Sequence, residues 1–477
     1  MLNWWLIVLI VVIPIIVILL AVYVLLFFQT TEGATSDIVY KVFFVLATVV
    51  GLGSVLLLPF DVANSPDPTV ENKYSNTLDT ALMWQIMLWT MAALAVVFCP
   101  FLMFFYEGQD PDKPKIGKQI AHGIIMTIII FGIFAIITGV CYWKVGVALV
   151  PYEDWSTYPQ NVEVNGSSIT YNSTYTNATL TIDVSFTTYC IGMLCFFGWI
   201  FFLFYGGVGM LAWPIRTLLN FKNRLKRINA SRFTQEMAIV LAKAEALLEV
   251  AVNLQKQARG KMSRGTKNKI NIIRNEVYFL EAHQDQLIWA YTQAGGSPFI
   301  VFGKLALTII CLGTGIVWIL HIFLYNTFNA DPFLNTLLIK LNDAFALCGV
   351  AAYAVLAFYL MWATFEGQLI LGLRLIFFQI HPMKKGDTQV NAFLFNATLL
   401  NITAFAVLQF VCRSFQGYAP LTSLNGLMNV YVMHLKGIGQ VIKWIQYGLV
   451  GVALLSIILV AICSKKKKRD ITKVSLK

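Results

Sequence analysis

The chain has 477 residues, of which 58% are hydrophobic and only 12% are charged, and its mean hydropathy is +0.70. A soluble domain carries about twice that share of charged residues, so this composition excludes a soluble enzyme or binding domain. The net charge of +11 could suit nucleic acid. The positions of the basic residues instead indicate a protein of the lipid bilayer that contacts no nucleic acid.

Nine apolar runs are each long enough to cross about 30 Å of hydrocarbon, which takes about 20 residues in a helix. Backbone groups cannot stay unpaired in lipid, so each run should be helical. The sequence therefore predicts an all-α polytopic membrane protein with spans at 4–28, 38–60, 80–106, 120–143, 188–212, 299–324, 343–365, 391–411 and 438–463.

The loops between these runs differ strongly in charge. Of the 35 Lys and Arg residues, 28 fall in alternate loops that would share one side of the membrane. The longest loop on the other side, 151–187, has no Lys or Arg and carries three N-glycosylation sequons, at Asn165, Asn172 and Asn177. We therefore predict a glycosylated lumenal loop, an outside or lumenal N-terminus and a cytoplasmic C-terminus.

This topology divides the chain into four regions. Residues 1–212 hold the first five spans, and 213–298 form one large cytoplasmic segment. The last four spans occupy 299–463, and a basic tail follows at 464–477. The tail's KKKKR run is typical of a stop-transfer anchor, and we expect it to attract anionic lipid.

The cytoplasmic segment contains two heptad-like stretches. The first places on one face Met237, Leu241, Ala244, Leu248, Ala251 and Ala258. The second does the same with Ile270, Ile273, Val277, Leu280, Leu287 and Tyr291. Between them, 259–266 is typical of a turn, so we predict an antiparallel helical hairpin. It could pack only on itself, or residues 230–294 could dock a cytoplasmic or membrane protein partner.

Residues 366–383 are too apolar for a solvated loop. We favour a basic amphipathic helix lying along the interface. The alternative is a segment that dips into the membrane and returns, which would place Arg374 at membrane depth and make it a functional candidate.

The eighth run is the most polar of the nine. It carries Asn391, Asn396 and Asn401, whose amides must find partners in a helix bundle. Together with Arg374 they are a possible polar site, although interhelical packing contacts are the favoured interpretation. The central parts of the runs carry no ionisable residue, which counts against an ion-coupled pump. No catalytic, metal or cofactor motif is present, so we expect no enzyme and no cofactor.

Several different short motifs follow one another along the chain in a recognisable order. They include Pro59-Phe60-Asp61 with Asn64, the run ending at Glu107, Arg374, His381-Pro382 and Asn391 to Asn396. In this order they resemble the lipocalin-interacting membrane receptor-like (LIMR) group of the limb-region-1-like family. That family also contains the lysosomal cobalamin transport escort protein. Asp61 or Asn64 can cap the turn that follows the second span.

The resemblance implies nine helices, an outside N-terminus, a large cytoplasmic loop between the fifth and sixth helices, and no shared catalytic site. Family roles include ligand uptake by endocytosis and escort of a transporter to lysosomes. We therefore expect a non-enzymatic receptor or escort of the plasma membrane, endosome or lysosome. The alternatives are a transporter or lipid-translocating protein without ion coupling, and a structural subunit of a membrane assembly.

Overall fold

The computed structural model describes residues 4–30, 38–65, 79–109, 116–160, 170–222, 228–257, 264–292, 298–328, 330, 332–345, 347–375 and 378–463. The predicted basic tail, most of the predicted turn at 259–266 and the sequon residue Asn165 lie outside these ranges. The chain divides into two compact units, Met1–Ile215 with Cys311–Lys477, and Arg216–Ile310.

The first half of the chain is a series of apolar helices, and two of them are interrupted. A short turn separates α2 from α3, and a π-helical segment joins α4 to α5. The elements are α1 (Trp4–Phe28), α2 (Ile38–Ser54), α3 (Leu57–Asn64), α4 (Thr80–Ala93), the π segment (Leu94–Phe98), α5 (Cys99–Glu107) and α6 (Ile116–Val145).

A long antiparallel β-ribbon follows α6, which the sequence analysis did not anticipate. Its strands β1 (Val147–Gln160) and β2 (Thr170–Asp183) pair over 14 residues each, from Val147 opposite Asp183 to Gln160 opposite Thr170. Lys436 N donates to Val147 O at 3.0 Å, which ties the base of the ribbon to a later loop. We call the end of the bundle that carries it the β-ribbon end.

The second half continues with helices and one small β-hairpin. The elements are α7 (Phe186–Lys222), α8 (Ala230–Gln257), α9 (Arg264–Thr292), α10 (Pro298–His321), a π segment (Ile322–Thr327), α11 (Phe333–Ala344), α12 (Cys348–Leu371), β3 (Leu373–Leu375), β4 (Phe378–Ile380), α13 (Val390–Ser414), α14 (Ser423–Asn425), a π segment (Gly426–Tyr431), a 3-10 turn (Val432–His434) and α15 (Ile438–Cys463).

Nine helical stretches of the described chain are long and apolar enough to cross a membrane, which confirms the predicted all-α polytopic class. The seventh span begins later than expected, since α12 starts at Cys348 rather than at 343. Residues 333–344 form the separate helix α11, and Leu347 then adopts a left-handed backbone with φ of 75°. This left-handed residue breaks the helical path between α11 and α12. The conformation is unfavourable for leucine, because the Cβ crowds the backbone.

The first unit is organised around α13, which buries 19 of its 25 residues. It packs against α2 and α5 and contacts α12. Elsewhere in this unit α7 and α12 approach closely at two glycines. A Cβ added to Gly209 would lie 1.7 Å from Ala363 O, and one added to Gly367 would lie 1.9 Å from Tyr205 O. Close backbone approach of this kind drives helix association in lipid.

The predicted interfacial helix at 366–383 is wrong. The helix α12 continues to Leu371, and Gly372 then turns the chain with φ of 58°. The short strands β3 and β4 follow, with Arg374 opposite Gln379. Glycine adopts a positive φ without a Cβ clash, so it ends the helix where hydropathy alone would extend it.

The second unit contains the helix pair of α8 and α9. The rings of Phe233 and Tyr291 stack with centroids 4.5 Å apart, which brings the start of α8 to the end of α9. Val240 and Leu247 of α8 form one buried cluster with Leu280 and Leu287 of α9. The two helices therefore run antiparallel along a heptad-spaced seam.

Candidate functional site

Asp61 is a buried carboxylate near the end of the second span. Its Oδ2 accepts from Trp84 Nε1 at 2.8 Å and from Leu424 N at 3.0 Å, and its Oδ1 accepts from Ser423 N at 3.1 Å. The side chain is 1% exposed. We expected Asp61 or Asn64 to cap the local turn; Asp61 instead caps backbone amides 362 and 363 residues away. It joins α3, α4 and α14 at the β-ribbon end.

Pro59 lies inside α3 rather than at the end of a helix. The break precedes it, at Val55 and Leu56, and α3 restarts at Leu57. Proline is tolerated in a first helical turn because the amide it lacks would have no partner there. Asn64 is the last residue of α3 and is buried. The Pro59–Asn64 motif therefore builds the short helix that presents Asp61.

Asn396 organises the opposite end of the bundle. Its Nδ2 donates to Ala392 O at 2.7 Å and to His381 O at 3.1 Å, while its Oδ1 accepts from Gln368 Nε2 at 3.0 Å. His381 has φ of 44° and its ring lies against Phe395. The motif residues His381 and Asn396 thus meet, and the amide fixes the loop that enters α13.

The other polar residues of α13 have separate partners. Asn401 Nδ2 donates to Ala47 O of α2 at 2.9 Å. Gln409 Oε1 accepts from Trp199 Nε1 of α7 at 3.0 Å, and its Nε2 donates to Met433 Sδ at 3.4 Å. The oxygens Asn391 Oδ1 and Asn401 Oδ1 are buried without a hydrogen-bond partner. The amides of Asn401 and Gln409 thus connect α13 to different elements, as interhelical packing contacts do.

Glu107 and Pro382 do not join these contacts in the part of the chain that the structure describes. The Arg374 backbone lies in β3, and its side chain is outside the described atoms. Glu107 is the exposed last residue of α5. Pro382 is half-buried beside His381.

A polar cluster at the β-ribbon end was missed by the sequence analysis. His321 Nε2 and Asn335 Nδ2 each lie 3.0 Å from Ser414 O, and Asn326 Nδ2 donates to Ser414 Oγ at 2.8 Å. These residues come from α10, its π segment, α11 and the end of α13. Such a cluster satisfies the last carbonyl of a buried helix, which has no intrahelical partner. Its members are single polar residues near the ends of apolar runs, and no spacing pattern in the sequence joins them.

Two titratable groups outside the spans have shifted pKa values. Burial lowers the pKa of His434, and the positive charges of Lys443 and Arg413 lower it further. Burial raises the pKa of Tyr418 to about 12, although the hydrogen bond with Asn342 opposes the shift. Both groups therefore stay neutral at physiological pH.

Two of the three sequon asparagines, Asn172 and Asn177, lie in the described part of the β-ribbon. Asn172 lies in β2 opposite Tyr158, and Asn177 is an exposed β2 residue opposite Glu153. An exposed side chain at the side of a ribbon is open to a modifying enzyme. The glycosylation of these residues stays a prediction.

In the helix pair, α8 buries a different face from the one predicted. In α8 the buried residues are Val240, Leu247 and Leu254, whereas Leu241 and Leu248 are 58% and 65% exposed. In α9 the predicted positions Ile273, Leu280 and Leu287 are buried, whereas Val277 and Tyr291 are exposed. The seam of α8 is thus shifted by one residue, and a second apolar stripe is left at the surface.

No group of three or more His, Cys, Asp or Glu side chains within the described ranges could hold a metal ion. The arrangement described so far consists of buried amides and one buried carboxylate that connect helices, helix ends and loops. It resembles a scaffold of packed helices with a separate helix pair.

Comparison with known proteins agrees with this architecture. Residues 6–278 match the model of a family described as LMBR1-like membrane protein. A LIMR family protein of Dictyostelium discoideum is 31% identical over 446 residues, which cover 85% of this chain and 86% of the relative. LIMR family proteins of Oryza sativa subsp. japonica and Arabidopsis thaliana are each 30% identical, over 90% and 85% of both chains.

No solved structure matches this chain. None of the three relatives is named for an enzymatic activity. The family model covers more than half of the chain, and its description fits nine apolar helices. The chain is a member of the LMBR1-like membrane protein family.

Proposed function

We propose that this protein is a non-enzymatic receptor or escort that recruits a protein partner through the helix pair α8–α9. Its predicted setting is the plasma membrane or the endosomal and lysosomal membranes, with the helix pair in the cytoplasm. The observation that carries the proposal is the exposed apolar stripe of α8, which consists of Leu241, Leu248 and Val252.

The stripe has the geometry of a helix-binding surface. Its residues are spaced by seven and four, so at about 100° per residue they lie on one face of α8. That face is about 110° away from the seam residues Val240 and Leu247. Val252 is 41% exposed, and Tyr278 of α9 adds a ring that is 67% exposed. Apolar residues at heptad spacing fit an amphipathic helix of a partner protein.

Charge substitutions on the stripe test the proposal. We expect Leu241→Glu with Leu248→Glu to abolish partner binding while leaving the seam intact, because the changed residues are exposed. The control is Ala246→Glu with Asn253→Glu, which places two carboxylates seven residues apart on another exposed face. The measurement is crosslinking in native membranes, purification and quantitative mass spectrometry of the wild-type protein and both variants.

Proteins recovered with the wild type and the control, but lost from the stripe variant, would support partner recruitment. An identical set of proteins from all three samples would contradict it. Hydrogen exchange of α8 and α9 in each variant checks that the pair has stayed folded.

The alternative of a transporter without ion coupling has less support. Its motivation was the polar content of α13, and the amides of Asn396, Asn401 and Gln409 each bind a neighbouring element. Transport of a solute or lipid by the purified protein alone in liposomes would favour that alternative. Recovery of the wild-type protein and both variants in the same complex of fixed stoichiometry would favour a structural subunit.

A further inference from the structure

Two exposed aromatic rings lie side by side on one face of the β-ribbon. Trp155 of β1 is directly opposite Tyr175 of β2, and their ring centroids are 5.1 Å apart with an interplanar angle of 36°. Trp155 is 57% exposed and Tyr175 is 55% exposed. We call these two residues the aromatic pair. Together they form a small apolar patch in which more than half of each side chain is open to a ligand.

The outer part of the β-ribbon is not covered by any other described part of the chain. All side chains of 151–156 and 173–177 are exposed, and they project from both faces of the ribbon. Each face also carries a carboxylate, because Glu153 lies on the face of the aromatic pair and Asp154 lies on the other. A face that carries a carboxylate does not enter hydrocarbon, so the bilayer core does not cover the aromatic pair.

The sequon at Asn177 shares the face of the aromatic pair. Successive residues of a strand alternate between its faces, so Tyr175, Asn177 and Thr179 project to the same side. Two residues along a strand span about 6.8 Å, which is comparable to the size of one sugar ring. Asn177 and Thr179 are both exposed. A sugar attached to Asn177 would thus begin directly beside the ring of Tyr175.

A hydrogen bond draws Trp155 toward the same position. Its Nε1 donates to Glu153 Oε2 at 3.1 Å. Glu153 is directly opposite Asn177 in the register of the ribbon. The indole starts level with Tyr175 and extends along the ribbon toward the level of Asn177. The aromatic pair and one carboxylate therefore lie beside the sequon asparagine.

We propose that the aromatic pair is the docking surface for an N-linked glycan on Asn177, whose first sugar stacks on Tyr175 and Trp155. One face of a sugar ring consists of C–H groups with weakly positive hydrogens, and the face of an aromatic ring is negative. The hydroxyl and amide groups at the sugar's edge stay in water. The Glu153 carboxylate is placed to accept a hydrogen bond from one of them.

The covalent link explains why so small a surface is occupied. A contact with two rings holds a free sugar poorly, because binding must offset the freedom that the ligand loses. A glycan on Asn177 is tethered two residues from Tyr175, so its effective concentration at the aromatic pair is about millimolar or higher. The occupant is therefore the protein's own glycan. This inference depends on the predicted lumenal position of the β-ribbon and is independent of partner recruitment by α8.

The test measures how fast the glycan is released from the folded protein. The full chain with Asn165→Gln and Asn172→Gln keeps Asn177 as the only sequon of 147–183. This parent protein is produced in a eukaryotic cell, placed in lipid nanodiscs and treated with peptide-N-glycosidase, which must reach the link between Asn177 and the first sugar. Tyr175→Val should speed release about fivefold, the effect of losing one contact of the strength of an aromatic pair. Tyr175→Phe keeps the ring and should match the parent.

Tyr152→Val is the matched control. Tyr152 is 48% exposed and lies opposite Ala178, on the other face of the β-ribbon. Its replacement removes a ring from the same strands without changing the aromatic pair, so the release rate should stay that of the parent. After denaturation all variants should release the glycan at one rate, because the packing that protects the link is lost.

Hydrogen exchange gives a second readout. Asn177→Gln should speed amide exchange within 174–179 in the parent protein, but should change it little once Tyr175→Val has removed the docking surface. The proposal is overturned if Asn177 carries no glycan, or if Tyr175→Val and the parent release it at equal rates. It is also overturned if Tyr152→Val speeds release as much as Tyr175→Val does. Equal rates with a protein that crosslinks to the parent but not to Tyr175→Val would assign the aromatic pair to that protein instead.

Discussion

At the scale of single residues, Asp61 is the clearest case of a side chain whose role depends on distant partners. A buried carboxylate that accepts three hydrogen bonds holds the three donor groups in fixed positions. The family motif around Pro59 pointed to Asp61, and helix-capping chemistry predicted that it binds backbone amides. Its actual partners, Trp84 and the amides of Ser423 and Leu424, are distant in sequence. No local pattern encodes that contact.

Replacing Asp61 by Asn should therefore destabilise the protein. The amide keeps one acceptor oxygen but turns an NH2 group toward N–H donors, so we expect a loss of about 2–3 kcal/mol. The measurement is thermal unfolding followed by fluorescence-detected size-exclusion chromatography. The control is Asp79→Asn at the exposed N-cap of α4, where Asp79 Oδ1 accepts from Leu82 N. Asparagine caps helices as well as aspartate does, so an equal loss at both sites would contradict this account.

His434 should make stability depend on pH. Burial and the nearby charges of Lys443 and Arg413 lower its pKa in the folded protein below the ordinary 6.5. The unfolded chain therefore binds a proton first as pH falls, and stability is lost below about pH 6.5. His434→Gln should flatten the dependence of the unfolding temperature on pH between 7 and 5. Parallel curves for the two proteins would show that other groups dominate.

At the scale of elements, hydropathy located the spans because a helix in lipid needs a fixed length of apolar residues. Three features of the fold do not follow from hydropathy, because they depend on backbone conformation, strand pairing or helix packing. A positive φ at Gly372 replaced the expected interfacial helix with β3 and β4. The β-ribbon pairs two polar segments whose alternation was too weak to recognise. In α8, apolar residues occupy two adjacent heptad positions, and the packing of α9 decides which one is buried.

The register of α8 can be tested with two neighbouring leucines. Leu247 is 9% exposed in the seam, so Leu247→Ala should cost about 2–5 kcal/mol and sharply accelerate amide exchange in α8 and α9. Leu248→Ala should change exchange little, because exposed substitutions usually stay within about 0.5 kcal/mol. A larger loss of stability for Leu248→Ala than for Leu247→Ala would instead support the seam that the sequence pattern predicted.

At the scale of the whole molecule, the orientation in the membrane stays a prediction that glycan mapping can test. We expect glycan on Asn177, since it is exposed in the β-ribbon. The sequon at Asn229-Ala-Ser, in the predicted cytoplasmic segment, should stay bare. The measurement is the gel shift on endoglycosidase treatment of wild type, Asn177→Gln and Asn229→Gln. Glycan on Asn229 would invert the predicted topology.

The central position of α13 has a consequence for biogenesis. Its amides bind elements made both earlier and later in synthesis, namely α2, α7 and the turn at Met433. When α13 leaves the translocon, the turn at Met433 does not yet exist, so Gln409 must enter lipid without that partner. In an insertion assay with α13 alone, changing Asn396, Asn401 and Gln409 to Leu should raise the inserted fraction. Equal insertion would mean that α13 enters the bilayer independently of its neighbours.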